Sequence, residues 1–400
     1  MRASPGGRRV AAVLAASATL ALVSGCGHSK KPAISLPTTS SSLATTTTTT
    51  AGTTTTTTKA RHVPVCPLTG LAPRDGHVPQ RAALAVKVEN LPEARPQWGL
   101  DATDIVFEEP VEGGITRFIA VYQCHVTPRI EPVRSGRLVD AVILEPLGHV
   151  LFAYSGAIQP VVDEIDSPTS LLEDVGANKA PGAYQRDPTR IEPHNLFTST
   201  AALWAAAATL DDPSQPPAPI FKYGPLPAGG TTVSAVNIFY PLDVTTWTWK
   251  AKTGRWVRYY SRTPSQAAAE GQVGTGPAIQ GDNVQISATD VVVMRVVEYP
   301  TPYVEDATGA LEQDLRLTGT GEAWVFRNGV ELKGTWDRPT LAQPATFTEA
   351  DGTTITLAPG NTWEELLPTS DSISVVAPSA TTTSVPTASV PRPSGTTTTR

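Results

Sequence analysis

Hydrophobic positions in the first part of the chain form short runs separated by polar turns. These runs predict four strands, at residues 83–88, 105–107, 117–123 and 149–154. In the third of them, Phe118, Ala120 and Tyr122 alternate with Ile119 and Val121, a period of two that is typical of a strand. A rigid sheet with charged loops at its ends is therefore expected here.

Helices are predicted between and after these strands. Residues 168–175 fit a helix with Ser167 as its N-cap, and Thr198 precedes an alanine-rich helix that extends to residue 210. Residues 138–147 are apolar and fit a helix or a strand equally well. Because strands and helices alternate, we expect residues 66–212 to form an α/β or α+β domain around a central sheet.

The second part of the chain has strand periods almost throughout. Runs at residues 236–240, 246–250, 255–262, 283–286, 291–297 and 315–318 predict strands. Asn328-Gly329 between residues 323–327 and 330–336 predicts a tight hairpin, and Asp351-Gly352 before residues 353–357 repeats the device. We predict a mainly β domain at residues 233–368, joined to the first by a Pro/Gly-rich linker at residues 213–232.

Both ends of the chain lack an apolar period. Residues 26–62 contain two near-pure threonine tracts, and residues 377–400 have a similar Thr/Ser/Pro composition. Neither segment can bury a core, so we expect a disordered tether and a disordered tail. Threonine-rich tracts of this kind are also candidates for glycosylation.

The first 25 residues predict a signal peptide. Arg2, Arg8 and Arg9 precede an apolar stretch at residues 10–23, which is too short to span a membrane. The stretch ends in LVSGC at residues 22–26, which resembles a bacterial lipobox. Lipidation of Cys26 would tether the protein to the outer face of the cell membrane. The alternative is an ordinary secretory signal followed by a chance cysteine.

The net charge argues against one class of partner. The chain carries −6 at neutral pH, and loss of the three arginines in residues 1–25 makes it −9. Nonspecific nucleic-acid binding needs a basic surface that replaces counterions, so no nucleic-acid partner is expected.

Three cysteines are present, and Cys66 and Cys124 remain as a pair if Cys26 carries lipid. In an oxidising compartment such a pair commonly forms a disulfide, which would staple the start of the domain to its sheet. The alternative is a reactive thiol at Cys124, next to His125.

Candidate binding residues concentrate between residues 104 and 137 and at a later turn. They are Asp104, Glu108, Glu112, Arg117, Arg134, Ser135, Arg137, His194 and Asn195. Arginine forks match a phosphate or a carboxylate, so an anionic ligand is predicted. Gly113-Gly114 permits a sharp turn after the carboxylates, and we expect Arg117, Arg134, Arg137, Glu112 and His194 to converge in one cleft. The alternative is a structural network between the arginines and the carboxylates.

Other chemistries are less well supported by the sequence. The carboxylates could bind a hard cation or form an acid–base pair, but Glu108 and Glu112 lie four apart across a proline. The chain has no G-x-S-x-G, P-loop, H-E-x-x-H or C-x-x-C motif. We therefore predict no metal and no cofactor, and a binding protein rather than an enzyme. The tryptophans of the second domain could stack on sugars, with core packing as the alternative.

Several ordered motifs carry a family resemblance. They are GITRFIAVYQ, EPVRSGR, EPHNLFTS, GTWDRPT and TLAPGNTWEELLP, together with PLTGL at residues 67–71 and ARPQWGL at residues 94–100. The chain resembles the YerB-type lipoproteins of the DUF3048 family over both domains. The resemblance implies a two-domain lipoprotein without an established reaction. Two residues depart from the family pattern: Glu131 replaces a usual glycine, and Gly136 replaces an alanine.

Three hypotheses for function follow. The first is a lipid-anchored binding protein for an anionic cell-envelope ligand, the second an envelope enzyme acting on a phosphate- or sugar-linked group, and the third a structural or partner-interaction lipoprotein whose protein partners the sequence does not identify. Clustered arginines and carboxylates on loops favour the first two, and the lack of an identifiable nucleophile favours the first.

Overall fold

The computed structural model describes residues 63–209, 215–261 and 276–378. The predicted signal peptide at residues 1–25, the predicted tether at residues 26–62 with Cys26, and residues 379–400 of the predicted tail lie outside the described residues.

The first half of the chain contains seven strands and three α-helices within the described residues. The strands are β1 (Ala83–Glu89), β2 (Ile105–Pro110), β3 (Thr116–Tyr122), β4 (Val150–Ala153), β5 (Leu172–Asp174), β6 (Gln185–Arg186) and β7 (Leu196–Phe197). The helices are α1 (Leu138–Leu144), α2 (Gln159–Ile165) and α3 (Thr200–Ala207). This half is therefore a mixture of strands and helices, as predicted.

The second half is built from strands. They are β8 (Thr231–Thr232), β9 (Ala235–Phe239), β10 (Val244–Lys250), β11 (Arg255–Ser261), β12 (Gly276–Pro277), β13 (Ser287–Ala288), β14 (Asp290–Val304), β15 (Leu311–Arg316), β16 (Gly319–Arg327), β17 (Val330–Arg338), β18 (Thr346–Glu349), β19 (Thr362–Pro368) and β20 (Ser372–Val376). The predicted fold class, a mixed first domain followed by a mainly β one, is confirmed.

One 12-stranded sheet runs through both halves, in the order β18-β17-β16-β14-β19-β2-β3-β1-β4-β5, with β15 beside β14 and β8 beside β17. The junction is β19, which pairs in parallel with β2 on one side and β14 on the other. Strand β19 of the second half thus returns to the first half and completes its sheet. Residues of the predicted linker are packed as well, since Ile220 and Phe221 are buried.

Strand alternation divides the core between the two faces of this sheet. A six-stranded sheet, in the order β12-β11-β10-β9-β20 with β13 beside β11, packs on one face, where Trp247, Trp256 and Trp363 are buried. On the other face, α1 and α2 cover the first half through Val139, Ile143 and other apolar side chains. Helix α3 lies on the first of these faces, with Leu203 buried against the core. Trp324 and Trp336 are also buried and Trp249 is partly buried, so these tryptophans serve core packing.

The hairpin prediction at Asn328-Gly329 is confirmed. Strands β16 and β17 pair in antiparallel register around it, and both turn residues have positive φ, 53° and 75°. That geometry is the one a two-residue turn with right-handed strand twist requires. The open choice at residues 138–147 resolves as helix α1 followed by a 3-10 turn.

The predicted helix at residues 168–175 is wrong. Ser167 begins a turn in which its hydroxyl hydrogen-bonds Thr169 and its carbonyl accepts from the Ser170 amide. The following apolar residues then pair in parallel with β4 as β5. The helix lies earlier, at Gln159–Ile165, with Pro160 in its first turn, where the missing N–H is not needed.

Three smaller predictions also differ from the structure. Helix α3 is capped by Ser199, whose hydroxyl accepts from the Ala202 amide, because Thr198 donates instead to the Ala183 carbonyl. Residues 283–286 form a turn with Asn283 at φ 66°, and residues 353–357 make only isolated bridges. Side-chain and backbone hydrogen bonds from elsewhere decided these local conformations.

Candidate functional site

Charged side chains line one end of the sheet on the face covered by α1. Alternation along β1 turns Lys87 and Glu89 to this face, and Arg117 at the start of β3 lies between Glu89 of β1 and Glu109 of β2 in the strand register. All four residues are buried. The end of the sheet is thus a row of alternating charges under a helix.

A glycine turn brings a further carboxylate to this row. Glu112-Gly113-Gly114 forms a tight 3-10 turn between β2 and β3, with both glycines at φ 75°. Gly114 also packs against Pro241, and a Cβ there would come within 2.9 Å of the proline ring. Only glycine fits this position without strain, and the turn places Glu112 beside Arg117.

The inner part of the site is a set of ion pairs around Glu112. Arg137 donates from both Nε, at 2.9 Å, and Nη2 to this carboxylate, and Arg117 approaches it at 3.3 Å. Arg137 also pairs through Nη1 with Glu305, at 2.8 Å, on the connection between β14 and β15. We call Glu112, Arg117, Arg137 and Glu305 the inner cluster.

Electrostatics of the inner cluster favour paired charges. Burial opposes ionisation of Glu112, yet the guanidiniums of Arg137 and Arg117 hold its pKa below the usual range. Burial, with Arg137 as a like charge, lowers the pKa of Arg117 to about 10. The positive charges of these two arginines are therefore largely neutralised by carboxylates of the protein itself.

The outer part of the site is more open. Glu89 is buried, with the Arg134 Nε at 3.1 Å from Oε1 and the His194 Nδ1 at 2.9 Å from Oε2. The side chains of Arg134 and His194 keep 23% and 19% of their exposure. We call Glu89, Arg134 and His194 the Arg134 edge. Ser135 joins the two parts, because its carbonyl accepts a long hydrogen bond of 3.4 Å from Arg117.

Some charged residues of this region could not be identified from the loop motifs in the sequence. Lys87 pairs with Glu109 and with Asp140 at 2.7 Å, and Asp140 caps the start of α1 through the Arg137 amide. Burial and the nearby Asp140 raise the pKa of Glu109 although Lys87 opposes the shift. The available signal was the charged pair Lys87 and Glu89 at the end of an otherwise apolar strand.

The structure does not bring every predicted residue together. Alternation along β2 turns Glu108 to the opposite face, where it pairs with Arg258 at 2.6 Å between the two sheets. Asp104 precedes β2, at the other end of that strand, and holds His125 at 2.5 Å. The Asn195 side-chain oxygen accepts a hydrogen bond from Arg186, and its Nδ2 donates to the Asp187 and Arg190 carbonyls. The side chain thus makes its hydrogen bonds within its own turn.

Position 131 is also separate from the cluster. Glu131 is buried and pairs with Arg129, and Arg190 lies 3.5 Å from its second oxygen. Its charge is therefore met by these arginines rather than by a ligand at the Arg134 edge.

The predicted disulfide is present. Cys66 and Cys124 are bonded, with 6.0 Å between their Cα atoms and a sequence separation of 58. The bridge ties the first described loop to the end of β3. The two sulfurs are thus joined to each other, and the reactive-thiol alternative is set aside.

Two further observations bear on the class of protein. Within residues 63–209, 215–261 and 276–378, no group of three or more His, Cys, Asp or Glu residues is arranged to hold a metal ion. Within the same ranges, no helix is long and apolar enough to cross a membrane.

The fold and the site define a two-domain, sheet-rich protein with a charged cluster at one end of a shared sheet. Residues 68–212 match the family described as "Protein of unknown function (DUF3048) N-terminal domain", and residues 236–363 match its C-terminal domain. Together the two matches span more than half of the chain, and the chain belongs to the DUF3048 family.

Known relatives agree with this assignment. The chain is 25% identical over 313 residues to a Bacillus subtilis (strain 168) protein named "Putative lipoprotein YerB", covering 77% of this chain and 88% of the relative. The crystal structure of the YerB protein from Bacillus subtilis superimposes with a TM-score of 0.62 at 22% identity, covering 78% of this chain and 99% of the other. The structural similarity establishes the fold and not a reaction.

Proposed function

We propose that this chain is a lipid-anchored protein of the cell envelope that binds an anionic ligand at the Arg134 edge. The anchor rests on the LVSGC sequence at residues 22–26 and on the likeness to a relative named as a lipoprotein. Diacylation of Cys26 would hold the folded region outside the cytoplasmic membrane, with residues 26–62 as the tether.

One observation carries the ligand proposal: the incomplete pairing of Arg134. Its guanidinium lies 3.1 Å from Glu89, yet it completes no side-chain hydrogen bond to any residue that the structure describes. The facing oxygen of Glu89 is likewise without a hydrogen bond. Arg134 therefore keeps donors available on a partly exposed edge, unlike Arg137, whose donors are taken.

The rest of the edge suits an oxyanion. The His194 ring contacts the second oxygen of the Glu89 carboxylate, whose first oxygen faces Arg134. A ligand group bound at Arg134 would therefore also lie near the imidazole of His194. The inner cluster fixes the loop behind Arg134, because Arg117 holds the Ser135 carbonyl. A planar guanidinium held in place binds a phosphate or carboxylate in bidentate fashion.

The test is a pair of measurements on Arg134→Ala. Isothermal titration with inorganic phosphate and with a short-chain polyprenyl phosphate should show affinity lowered roughly tenfold to a hundredfold, which is the loss of one charge-assisted contact of about 1.5–3 kcal/mol. Thermal stability should change little, because the Arg134 side chain completes no hydrogen bond with any described residue and its backbone hydrogen bonds remain in the variant.

Arg295→Ala is the matched control. Arg295 has a similar exposure of 19% and pairs with Glu322 at 3.2 Å in the second half of the chain. It should leave phosphate affinity unchanged. If Arg134→Ala lowers stability and leaves the affinity intact, the arginine is structural and the ligand proposal fails.

A further inference from the structure

A polar cavity lies at the other end of β2, away from the Arg134 edge and the inner cluster. Its volume is about 260 Å³, and its lining includes Asp101, Thr103, His125, Arg255, Thr289 and Asn361. The first three come from the first half of the chain and the others from the second. We propose that this cavity, the His125 pocket, binds a small molecule through a phosphate or carboxylate group.

The first supporting feature is Arg255. Among the described residues, no carboxylate lies within ion-pairing distance of its guanidinium. It is held instead by neutral groups, with Nη1 donating to the Thr289 hydroxyl at 2.6 Å and Nη2 to the Ser287 carbonyl at 2.9 Å. Burial lowers its pKa. Asp290, which lies beyond ion-pairing distance, opposes this shift. A half-buried cation that hydrogen-bonds only neutral groups is an incomplete site, and an oxyanion would complete it.

The second feature is the orientation of His125. Its Nδ1 lies 2.5 Å from Oδ1 of Asp104, a fully buried carboxylate whose other oxygen accepts from the Gln123 and Cys124 amides. A carboxylate that accepts these hydrogen bonds orients Nδ1 as the donor and leaves Nε2 as the free nitrogen of a ring that lines the pocket. The imidazolium form adds a second donor for the same anion.

The third feature is the rigidity of the opposite wall. Asn361 accepts from the Thr289 amide at 3.1 Å and donates to the Ser287 carbonyl at 3.0 Å. Gly360 packs so closely that a Cβ would lie 2.0 Å from the Thr289 hydroxyl, and its amide donates to Thr69 at 2.8 Å. These contacts hold the polar lining in place before any ligand arrives, which lowers the cost of binding.

The ligand class follows from charge and size. Arg255 and His125 can bind an oxyanion. Asp101, an exposed carboxylate of the same lining, can accept a hydrogen bond from a hydroxyl or ammonium group of the ligand. A cavity of about 260 Å³ lies just below the usual range of about 300–1,000 Å³ for small-molecule sites. The pocket therefore fits a small polyol phosphate or an amino acid better than a polymer.

The experiment titrates the folded, disulfide-bonded protein with glycerol 3-phosphate, D-alanine and inorganic phosphate at millimolar concentration, following the His125 ring resonances by NMR. At least one oxyanion should shift the ring signal, and Arg255→Gln should weaken that binding about tenfold or more. Response to the two phosphates alone assigns a phosphate ligand, and response to D-alanine alone assigns a carboxylate.

Three variants show whether the binding occurs in the His125 pocket. His125→Gln, made together with Arg134→Ala so that the Arg134 edge contributes no heat, gives the same loss of binding by calorimetry and decides the matter if Arg255→Gln does not fold. Arg134→Ala leaves binding here unchanged, so this inference stands or falls independently of the Arg134 edge. Arg316→Gln, at an exposed arginine, controls for the loss of one positive charge. If no probe shifts the His125 ring resonances, or if binding in the Arg134→Ala background survives both His125→Gln and Arg255→Gln, the proposal is overturned.

Discussion

Arg137 and Glu305 form an ion pair at 2.8 Å that joins the two halves of the chain. Arg137 stands at the start of α1, and Glu305 lies at the far end of the long hairpin formed by β14 and β15. The same hairpin reaches α1 a second time, where Glu312 accepts from the Leu138 amide at 2.8 Å. The hairpin of the second half thus closes the inner cluster of the first.

Glu305→Gln should reveal the strength of this closure. The Arg137 side chain is 1% exposed and that of Glu305 is 7% exposed. Loss of the Glu305 charge leaves Arg137 with the Glu112 carboxylate and the neutral Gly136 carbonyl as its partners among the described residues. We expect the free energy of unfolding to fall by about 1–3 kcal/mol in urea denaturation. Glu322→Gln, at a half-exposed carboxylate, is the control and should cost less than about 1 kcal/mol. Equal losses from both variants would contradict a special role for the hairpin contact.

Arg258→Met should be the more damaging change. Arg258 is fully buried between the sheets, with Glu108 at 2.6 Å and Glu365 at 3.0 Å. Removing the guanidinium leaves two buried carboxylates without a cation, and we expect a loss of about 3–5 kcal/mol in denaturant unfolding. Adding Glu108→Gln and Glu365→Gln to this variant should recover part of the loss. A single variant as stable as the wild type would show that the triad contributes nothing.

The sequence predicted the strands that form the site but not the faces to which their charges point. Glu108 and Glu109 are neighbours on β2, and alternation sends one to each face of the sheet. Nothing local says which face carries α1 and which carries the second sheet, because that depends on β19 and on strands more than a hundred residues away. The sequence therefore predicts Glu108 as a binding residue and Glu109 only as a member of the alternative structural network, whereas the structure places Glu109 on the α1 face and Glu108 on the other.

The same limit applies to contacts made by the second half. Arg117, Arg134 and Arg137 were identifiable because loops rich in arginine and glycine are unusual between strands. Glu305 was not, since its pairing with Arg137 depends on the length and direction of a hairpin. Local turn chemistry, as at Asn328-Gly329, was predictable because both residues tolerate positive φ. The pairing of strands that are far apart in the sequence was not predictable.

Cys26→Ala tests the proposed anchor. Without the cysteine, diacylation at this position cannot occur, so the protein should move from the membrane fraction to the soluble fraction after cell lysis. Metabolic labelling with a fatty-acid analogue should mark the wild type and not the variant. Ser24→Ala, a small-for-small change two residues earlier, is the control and should keep the label. A variant that is still labelled and membrane-bound would exclude the lipobox interpretation.

Replacing both Cys66 and Cys124 with alanine tests the disulfide. The bridge joins two residues with a sequence separation of 58, and its loss should lower the free energy of unfolding by about 2–4 kcal/mol. Dithiothreitol should destabilise the wild type to a similar extent and should not affect the double variant. Two labelled thiols in the folded, non-reduced wild type would show that the bridge does not form in solution.

Asp290→Asn tests the direction in which burial shifts the pKa of Asp290. Asp290 is fully buried, and burial raises its pKa to about 7 although the Ala358 amide and Arg327 oppose the shift. Because the folded state favours the protonated acid, this carboxyl contributes its stability below the unfolded pKa of about 4, and that stability is lost as the pH rises towards 7. The asparagine keeps an oxygen for the Ala358 amide and never ionises. The free energy of unfolding of the variant, relative to that of the wild type, should therefore rise between pH 4 and pH 7 by on the order of 2–4 kcal/mol, in urea unfolding measured across that range.

Glu93→Gln, at an exposed carboxylate, is the control and should follow the wild-type curve. If the difference between Asp290→Asn and the wild type does not depend on pH, or grows in the acid direction, then Asp290 is not a buried acid with a raised pKa.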